Sequence, residues 1–321
     1  MRLKVKILVY LLFGWLYTFT STEIKAQGCS DAGFCTMGAM QPDQEFNKNI
    51  PVRLRSISLN LYEGQANTSP SIRAAILDLG LRIFNDIDLQ FKIPYLTVSG
   101  NFGNTQGLGD LSLAATKSLK STPTYDWLGT VGFKIPTGNS DLRQEEQQVV
   151  LPMYYQVTLG TYDLVLGTSY ITRNWLFSFG YQQPLIHQNE NTFEINTESW
   201  GWYEGGMNYV RGHDEAVDLK RGADLMTRIE RNFRLSRLNF NVGLLPIYRI
   251  TKDQGRDEDG NYEKIDGTTG LALSGLVGAG YNFNIYSSLS LIVGFKITDR
   301  AVNPDGLTRK HVVNFAYTYN F

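Results

Sequence analysis

Residues 313–321 read VNFAYTYNF and alternate between large apolar or aromatic residues and small or polar ones. The large residues are Val313, Phe315, Tyr317, Tyr319 and Phe321. A strict period of two predicts a β-strand with one oily face and one polar face. In a soluble protein the aromatic face would pack under a second layer of structure. The pattern therefore leaves two fold classes open, a soluble β-protein and a membrane β-barrel, and the rest of the chain has to decide between them.

The same alternation recurs along most of the sequence. In residues 87–95 (IDLQFKIPY), for example, Asp88, Gln90 and Lys92 alternate with large apolar side chains. We predict twelve strands, over residues 52–62, 72–83, 87–98, 108–118, 126–136, 160–171, 174–184, 222–234, 237–249, 269–283, 287–298 and 311–321. Only residues 223–233 show even a weak helical period, and they alternate almost as well. The predicted fold class is therefore all-β.

The connections between these strands alternate in length. Every second one is short, over residues 84–86, 119–125, 172–173, 235–236 and 284–286, whereas the longest span residues 137–159, 185–221 and 250–268. Short turns on one rim and long loops on the other are typical of outer-membrane barrels, and both ends of the predicted barrel fall on the short-turn side. Residues 149–158 (VVLPMYYQVT) could form a further strand, but a thirteenth would break the alternation. We interpret them as part of a large, partly folded loop.

The charged residues of the predicted strands are placed as expected for a wall that faces lipid. An Arg or Lys that faces the middle of a bilayer costs about 2–4 kcal/mol. In the predicted register the charged side chains turn inward instead, and the exceptions, Arg53, Arg55, Lys117 and Arg231, lie near strand ends. The predicted pore-lining residues are Asp78, Arg82, Asp88, Lys92, Asp110, Lys134, Arg228, Glu230, Arg234, Arg249 and Lys296. Seven of these are basic and four acidic, which predicts a mildly cationic lumen with a weak preference for anions.

The beginning of the chain has the pattern of a secretory signal peptide. Arg2, Lys4 and Lys6 precede an apolar run over residues 7–19, which is shorter than the ~20 residues of a membrane-spanning helix. We predict a signal peptide over residues 1–26 and cleavage after Ala26 or Gln27. A lipoprotein with Cys29 as the acylated residue fits poorly, because Ala26 stands where a lipobox requires leucine. Export combined with the strand pattern predicts the outer membrane of a Gram-negative bacterium.

Residues 27–51 form a separate N-terminal segment that carries the only two cysteines, Cys29 and Cys35. In an oxidising periplasm we expect them to form a disulfide. The alternative is a soft-metal site for Cu(I) in which Met37 and Met40 join the two cysteines. The segment shows no strand pattern and either folds into the lumen as a plug or hangs in the periplasm. A plug is physically reasonable, because a twelve-strand barrel is wider than the eight-strand barrels that side chains alone can fill.

Composition and the remaining motifs give little support to other classes of function. A net charge of −1 gives no reason to expect nucleic-acid binding, and no run of 18 apolar residues follows Phe19. We predict no catalytic residues, no metal and no cofactor, because no motif joins Ser140 to His311 and the other histidines, His187 and His213, lie in or next to loops.

Two of the long loops have a marked composition. The acidic loop over residues 250–268 faintly resembles a calcium loop, and a solvated surface loop is the favoured interpretation. The loop over residues 185–221 is rich in aromatic side chains, namely Trp200, Trp202, Tyr203 and Tyr209. It either folds inward on a core of its own or acts as a gate for a ligand.

Three motifs in the first half of the barrel carry a family resemblance. Residues 80–95 read GLRIFNDIDLQFKIPY, residues 107–113 read GLGDLSL and residues 132–138 read GFKIPTG. As a set they resemble a family of outer-membrane transporter proteins that is named for the meta-cleavage pathway of phenol degradation. The resemblance covers residues 77–181 and, more loosely, the rest of the barrel. It implies a β-barrel that moves small, often hydrophobic compounds across the outer membrane.

The sequence therefore predicts a transmembrane antiparallel β-barrel of about twelve strands over residues 52–321, with a short N-terminal segment that can plug its lumen. The predicted function is a channel for passive uptake or efflux of small molecules, hydrophobic ones included. The alternatives are a non-transport barrel with an adhesion, assembly or envelope-structural role, and an outer-membrane lipid hydrolase. The expected partners are outer-membrane lipid, a small-molecule solute and the barrel-assembly machinery, which would recognise the C-terminal strand that ends at Phe321.

Overall fold

The computed structural model describes residues 36–41, 54–66, 70–83, 87–257 and 259–321. The predicted signal peptide over residues 1–26, its cleavage site and the predicted Cys29–Cys35 disulfide lie outside these residues. Within them, no helix is both long enough and apolar enough to cross a membrane. The description that follows concerns these ranges alone.

The described residues form fifteen strands and a few short helical turns. The strands are β1 (Leu54–Ala66), β2 (Ser71–Ile83), β3 (Ile87–Gly100), β4 (Gly103–Leu108), β5 (Leu111–Ser121), β6 (Tyr125–Ile135), β7 (Thr161–Thr172), β8 (Trp175–His187), β9 (Asp224–Leu235), β10 (Leu238–Arg249), β11 (Gln254–Arg256), β12 (Tyr262–Lys264), β13 (Gly270–Asn282), β14 (Ser287–Thr298) and β15 (Arg309–Asn320). The helical pieces are 3₁₀ turns at Gly38–Met40 and Met153–Tyr155 and two single α-turns, α1 (Thr197–Trp200) and α2 (Met207–Val210).

The main sheet closes on itself to form a barrel. Strand β1 pairs with β2 and with β15, and β2 also pairs with β3, which completes the ring. Strands β4 and β5 are two halves of one barrel strand, because β4 pairs with residues 95–100 of β3 and β5 pairs with residues 87–92. The break between them falls at Gly109 and Asp110. With β11 and β12 forming a separate hairpin in a loop, the barrel has twelve antiparallel strands, and the sequence prediction of twelve is confirmed.

The two rims of the barrel differ as predicted. Turns over residues 122–124, 173–174, 236–237 and 283–286 join strands at one end, here called the short-turn rim. Loops over residues 136–160, 188–223, 250–269 and 299–308 join them at the other end, the long-loop rim. Two connections that were expected to be long, over residues 67–70 and 101–102, are short because β1 to β4 extend beyond their predicted ends. Residues 149–158 contain no strand and belong to a loop, as expected.

Successive side chains alternate between the two faces of the wall. In β8, Leu176 and Ser178 are buried inside, whereas Trp175, Phe177 and Phe179 are exposed on the outside. The outer face is largely apolar and carries aromatic side chains near the short-turn rim, namely Trp127, Trp175, Phe233, Phe283, Tyr319 and Phe321. A closed barrel with an apolar outer band and an aromatic girdle is the form that proteins of the bacterial outer membrane take, and that membrane is where this barrel resides.

Two arginines near the short-turn rim behave differently from each other. Arg231 stays on the outer face, where its guanidinium lies 5.0 Å from the Trp175 ring and 5.5 Å from the Phe233 ring. Arg55, which was predicted to face lipid, instead turns inward and pairs with Asp88. The cause is a register shift between Leu54 and Ser56 in the pairing with β2, which rotates this end of β1. The shift therefore keeps the charge of Arg55 away from the lipid-facing side of the wall.

Candidate functional site in the barrel lumen

Residues 36–41 lie inside the barrel, about halfway along it, against β3 and β5 to β8. The Gly38 N–H donates to Gln90 Oε1 at 2.7 Å, and the Ala39 N–H donates to Thr130 Oγ1 at 2.9 Å. Lys92 Nζ donates to the carbonyl oxygen of Thr36 at 2.8 Å. Lys92 Nζ also donates to Thr36 Oγ1 at 2.9 Å. The wall residues thus bind the backbone of the segment and one of its side-chain hydroxyls, and the part of the N-terminal segment that the structure describes occupies the lumen.

The side chains of two methionines anchor this segment in a groove of the barrel wall. Met37 and Met40 are fully buried and pack with Ala114 and Val165 in one apolar cluster. A Cβ atom on Gly132 would lie 2.3 Å from Met37 Sδ. On Gly167, the nearest Met40 atoms, Sδ and Cε, would each be 2.8 Å away from such a Cβ. Any larger residue at either glycine would collide with the methionines, so the glycines create the groove that the segment fills.

Gly38, between the two methionines, needs to be glycine for two separate reasons. Its φ of +52° lies in the left-handed region, which side chains rarely adopt. A Cβ there would also lie 2.5 Å from Thr116 Oγ1 and from Thr130 Cγ2. The close approach of the segment to the wall therefore depends on this one residue.

A buried charge network crosses the lumen closer to the long-loop rim. Arg249, at the end of β10, donates from Nε to Asp224 Oδ1 at 2.6 Å. Its Nη1 donates to both oxygens of Asp253, at 2.5 and 2.7 Å, and its Nη2 donates to Asp305 Oδ2 at 2.8 Å. Asp224 belongs to β9, whereas Asp253 and Asp305 belong to two different loops. One guanidinium therefore holds two loops against the wall.

Two further arginines extend the network. Arg221 donates to Asp224 Oδ2 at 2.5 Å and to Asp305 Oδ2 at 3.2 Å, and Arg300 donates to Asp305 Oδ1 at 3.2 Å. Burial tends to raise the pKa of Asp305, but Arg300, Arg249 and Arg221 outweigh it and hold that pKa well below its ordinary value. The Asp305 carboxylate consequently stays charged, and it ties loop 299–308 to loop 188–223.

Most of the other predicted pore-lining residues also face the lumen, and they do so in pairs. The measured N–O separations are 3.2 Å for Lys134–Asp110, 3.8 Å for Lys92–Asp78, 3.5 Å for Arg228–Glu230, 2.7 Å for Arg82–Asp88 and 2.8 Å for Lys296–Asp299. Arg234 differs, since it is exposed at the short-turn rim and donates to the carbonyl of Arg173 at 3.2 Å.

The pairing bears on the predicted anion preference, which stays a prediction. That prediction counted seven basic and four acidic side chains, all of them from the strand pattern. The structure adds inward-facing carboxylates that the count omitted, namely Asp163, Asp224, Asp253, Asp299 and Asp305. It also adds inward-facing arginines, namely Arg55, Arg221, Arg300 and Arg309. Each of these carboxylates lies beside a guanidinium or an ammonium group, so most charges of the lumen are balanced by a neighbour.

Above the charge network, loop side chains form an aromatic core that fills the long-loop end of the barrel. The ring centroid of Phe102 lies 4.4 Å from that of Trp200, 4.9 Å from Tyr203 and 5.0 Å from Tyr209. This core rests on apolar inward-facing residues of the first three strands, namely Tyr62, Ile72, Ile76, Leu96 and Val98. The aromatic residues that the sequence singled out are therefore packed in a core, and a role for them in gating remains a proposal.

His213 is the one titratable imidazole in this core. Its Nδ1 lies 3.2 Å from the carbonyl oxygen of Tyr209, so Nδ1 carries the proton and donates it. Its Nε2 is buried and has no hydrogen-bond partner within the described parts of the chain. Burial lowers the pKa of His213 to about 4, although hydrogen bonds with the backbone of Tyr209 and Val210 offset part of the effect.

We expect acid to loosen the aromatic core through His213. A histidine whose pKa is about 4 when packed and ~6.5 when exposed binds fewer protons in the packed state. The packed state is therefore most stable above pH 6.5, loses stability as the pH falls from 6.5 to 4, and loses about 3 kcal/mol in all. Tryptophan fluorescence from Trp200 and Trp202, followed between pH 7.5 and 4, should report the change.

The matched control for this titration is His213→Phe. Phenylalanine fits an aromatic environment and cannot take up a proton, so the acid-induced change should disappear. Burial raises the pKa of the neighbouring Asp214, so its protonation acts in the stabilising direction, and this residue remains in both proteins. If His213→Phe shows the same acid response as the unaltered protein, His213 is not its source.

The hydrolase alternative raised by the sequence gains no support from the geometry, and the Cu(I) alternative with Cys29 and Cys35 lies outside the described residues. Ser140 is buried in loop 136–160, where its Oγ accepts the Glu190 N–H at 3.0 Å, whereas His311 is exposed on the outer face of β15. They lie on different sides of the wall and form no catalytic pair. Across the described ranges, no group of three or more His, Cys, Asp or Glu side chains could hold a metal ion.

Comparisons with known proteins agree on the fold. No protein-family model matches the chain, and no curated protein matches it in sequence. Among solved structures, it is similar to an outer-membrane channel from Pseudomonas putida F1, with 17% identity, 87% of this chain and 99% of that chain covered, and a TM-score of 0.57.

Two more distant structures have TM-scores of 0.42. The CymD monoaromatic hydrocarbon channel is 10% identical over 93% of this chain and 95% of that one. The KdgM porin in complex with disordered oligogalacturonate is 9% identical over 83% of this chain and 99% of that one. At these identities the similarity to the Pseudomonas putida channel supports the barrel fold alone, and the two more distant ones add no argument.

Proposed function

We propose that this barrel is a channel through which small molecules cross the outer membrane passively. The main support for the proposal is the identity of the residues that fill the middle of the barrel lumen. The wall itself presents glycines there, including Gly132 and Gly167, and the space in front of them is taken by residues 36–41. A barrel with a purely structural role does not need a wall that leaves its own lumen open.

The features that close the lumen are all segments outside the wall. Residues 36–41 fill its middle, and loops 136–160 and 188–223 fill its long-loop end. Such segments can leave the lumen without breaking any strand pairing of the barrel. The predicted pore-lining residues, from Asp78 to Lys296, would then face the solute, and their mutual ion pairs would favour neither sign of charge strongly.

The class of solute rests on the family resemblance. The motifs in residues 80–95, 107–113 and 132–138 support membership of the transporter family named for the meta-pathway of phenol degradation, and hence transport of small compounds that include hydrophobic ones. The likeness to an outer-membrane channel from Pseudomonas putida F1 is consistent with this proposal. We propose no catalytic role.

Our proposals for the export, processing and membrane assembly of the chain rest on the sequence alone. Residues 1–26 would be removed on export, and Cys29 and Cys35 would form a disulfide in the periplasm. The aromatic strand β15 and Phe321 would bind the barrel-assembly machinery. Lipid of the outer membrane would contact the exposed apolar side chains of the wall.

Flux across a bilayer tests the channel directly. Purified protein in liposomes should admit small uncharged solutes faster than liposomes that hold an equal mass of an eight-stranded barrel with a filled interior. A planar bilayer should show discrete conductance steps. If neither flux nor steps are seen, even in the variant that combines Met37→Asp, Met40→Asp and Arg249→Met and so removes both obstructions, the adhesion or envelope-structural alternative becomes the better one.

A further inference from the structure

An arginine on the lipid-facing side of the wall has no counter-charge. Arg231 of β9 lies directly opposite Trp175 of β8 in the strand pairing. Its guanidinium lies 5.0 Å from the centroid of the Trp175 ring and 5.5 Å from that of the Phe233 ring. Within the described parts of the chain, this guanidinium makes no ion pair and no hydrogen bond. A cation on the lipid face costs free energy unless its N–H groups find a partner.

Arg231 lies at the level of the membrane interface. Trp175, its neighbour across the pairing, is the first residue of β8 and directly follows the turn at residues 173–174. Strand β9 ends at Leu235, and the four residues from Arg231 to that end span roughly 10 Å of height in a tilted strand. Trp175 and Phe233 belong to the aromatic girdle, which marks the boundary between headgroups and acyl chains. A lipid phosphate is therefore within reach of this side chain.

Three more arginines lie at the same part of the short-turn rim. Arg173 belongs to the turn between β7 and β8, and Arg237 belongs to the turn between β9 and β10. Arg234 Nη1 donates to the carbonyl oxygen of Arg173 at 3.2 Å, which brings the two residues together. All three side chains are exposed. Together with Arg231 they form what we call the basic rim patch.

Acidic residues do not balance the basic rim patch. Residues 164–182 and 231–249, which hold all four arginines, contain no aspartate and no glutamate. Glu230 directly precedes Arg231, but it is 1% exposed and pairs with Arg228 on the lumen side of β9 at 3.5 Å. The patch is therefore positively charged towards lipid and solvent. It faces the periplasm, because the short turns of outer-membrane barrels do so.

We propose that the basic rim patch binds an anionic phospholipid of the inner leaflet of the outer membrane, such as phosphatidylglycerol. Arg231 would donate two parallel hydrogen bonds to the phosphate oxygens, a geometry that suits arginine. Trp175 and Phe233 would contact the ester region and the adjoining acyl chains. The three arginines nearer the turns would attract the negative headgroup. The inference goes beyond the proposed channel, because conduction through the lumen requires no particular lipid on the outer wall.

The test is a titration of the full chain in detergent with phosphatidylglycerol or with phosphatidylcholine of the same acyl chains, followed by native mass spectrometry. Phosphatidylcholine carries the phosphate without the net negative charge. We expect the unaltered protein to bind phosphatidylglycerol more tightly. Since one basic side chain near an anionic headgroup changes binding by about fivefold, Arg231→Gln should weaken phosphatidylglycerol binding by about that factor or more. The preference over phosphatidylcholine should then disappear.

The matched control is Arg73→Gln. Arg73 is also an exposed arginine on the outer face, but it belongs to β2 near the long-loop rim and pairs with Glu63 at 3.3 Å. This variant should bind both lipids as the unaltered protein does. If Arg231→Gln fails to fold, Arg234→Gln with Arg237→Gln leaves Arg231 intact and removes two charges of the patch. The double variant should weaken binding of phosphatidylglycerol and leave that of phosphatidylcholine unchanged.

The proposal is overturned if the unaltered protein binds the two lipids equally. It is also overturned if folded Arg231→Gln keeps its preference, if Arg73→Gln loses it, or if the double variant binds phosphatidylglycerol as tightly as the unaltered protein. Salt gives an independent check, because it screens exposed charges. Phosphatidylglycerol binding should fall as the ionic strength rises, and binding that does not respond to salt contradicts the proposal.

Discussion

Arg249→Met should release the long loops from the barrel wall and cost the protein about 3–5 kcal/mol of stability. The side chain donates five hydrogen bonds to three carboxylates, those of Asp224, Asp253 and Asp305. Without it, three buried carboxylates would face each other with only Arg221 and Arg300 between them. Methionine keeps most of the volume, so the loss measures the charge interactions rather than a cavity.

Stability and loop attachment can be measured separately. The folded barrel should migrate on gels as a compact species, and the temperature at which this species is lost should fall. Proteolysis should begin in loops 188–223 and 250–269, since both lose an anchor. Asp253→Asn combined with Arg249→Met should restore part of the stability, because it removes one of the stranded charges.

The control is an exposed arginine of loop 250–269. Arg256 pairs with Asp218 at 3.1 Å but remains exposed, and exposed ion pairs contribute little to stability. Arg256→Met should therefore leave both readouts almost unchanged. Equal behaviour of the two methionine variants would mean that the buried network does not hold the loops.

The second large effect is a rise in conductance when residues 36–41 leave the lumen. It becomes visible only when the long loops are released as well. Met37→Asp with Met40→Asp places two charges in an apolar groove formed in part by Val165, and burying an unpaired carboxylate is strongly unfavourable. The segment should leave the lumen. Conductance should nevertheless rise little, because the loops still fill the long-loop end.

Combining this pair with Arg249→Met should raise single-channel conductance several-fold more than the two changes do separately, since two obstructions in series must both be removed. Met37→Leu with Met40→Leu is the matched control, because leucine keeps the apolar contacts and the segment should stay in place. If the aspartate pair alone opens the channel fully, the loops are no barrier. If the combined variant stays closed, residues 36–41 are not what occludes the lumen.

The strands could be predicted from sequence because their rule is local. A wall with lipid on one side and a lumen on the other forces a period of two, and residues 87–100 or 313–320 show it without any knowledge of the rest. The predicted ends of β1 to β4 were too short near the long-loop rim. The residues beyond the predicted ends, over 63–66, 99–100 and 103–107, are mostly small or polar, so the alternation with large apolar residues fades there.

The contents of the lumen could not be predicted to the same degree. Arg249 was identified because it belongs to a strand, whereas its partners Asp253 and Asp305 lie in loops whose positions depend on the completed barrel. Gly132 and Gly167 did leave a signal, since glycine is unfavourable in a strand unless another segment approaches closely.

The seating of residues 36–41 also has a kinetic consequence. Only residues 42–53 separate this segment from β1, and twelve residues reach at most about 40 Å when fully extended. A segment that leaves its groove therefore stays tethered at the short-turn rim, at an effective concentration of roughly millimolar or more. Reblocking becomes a first-order event whose rate does not depend on how much protein the membrane holds. An unblocked channel should accordingly flicker, and lengthening residues 42–53 with glycine and serine should prolong its open intervals.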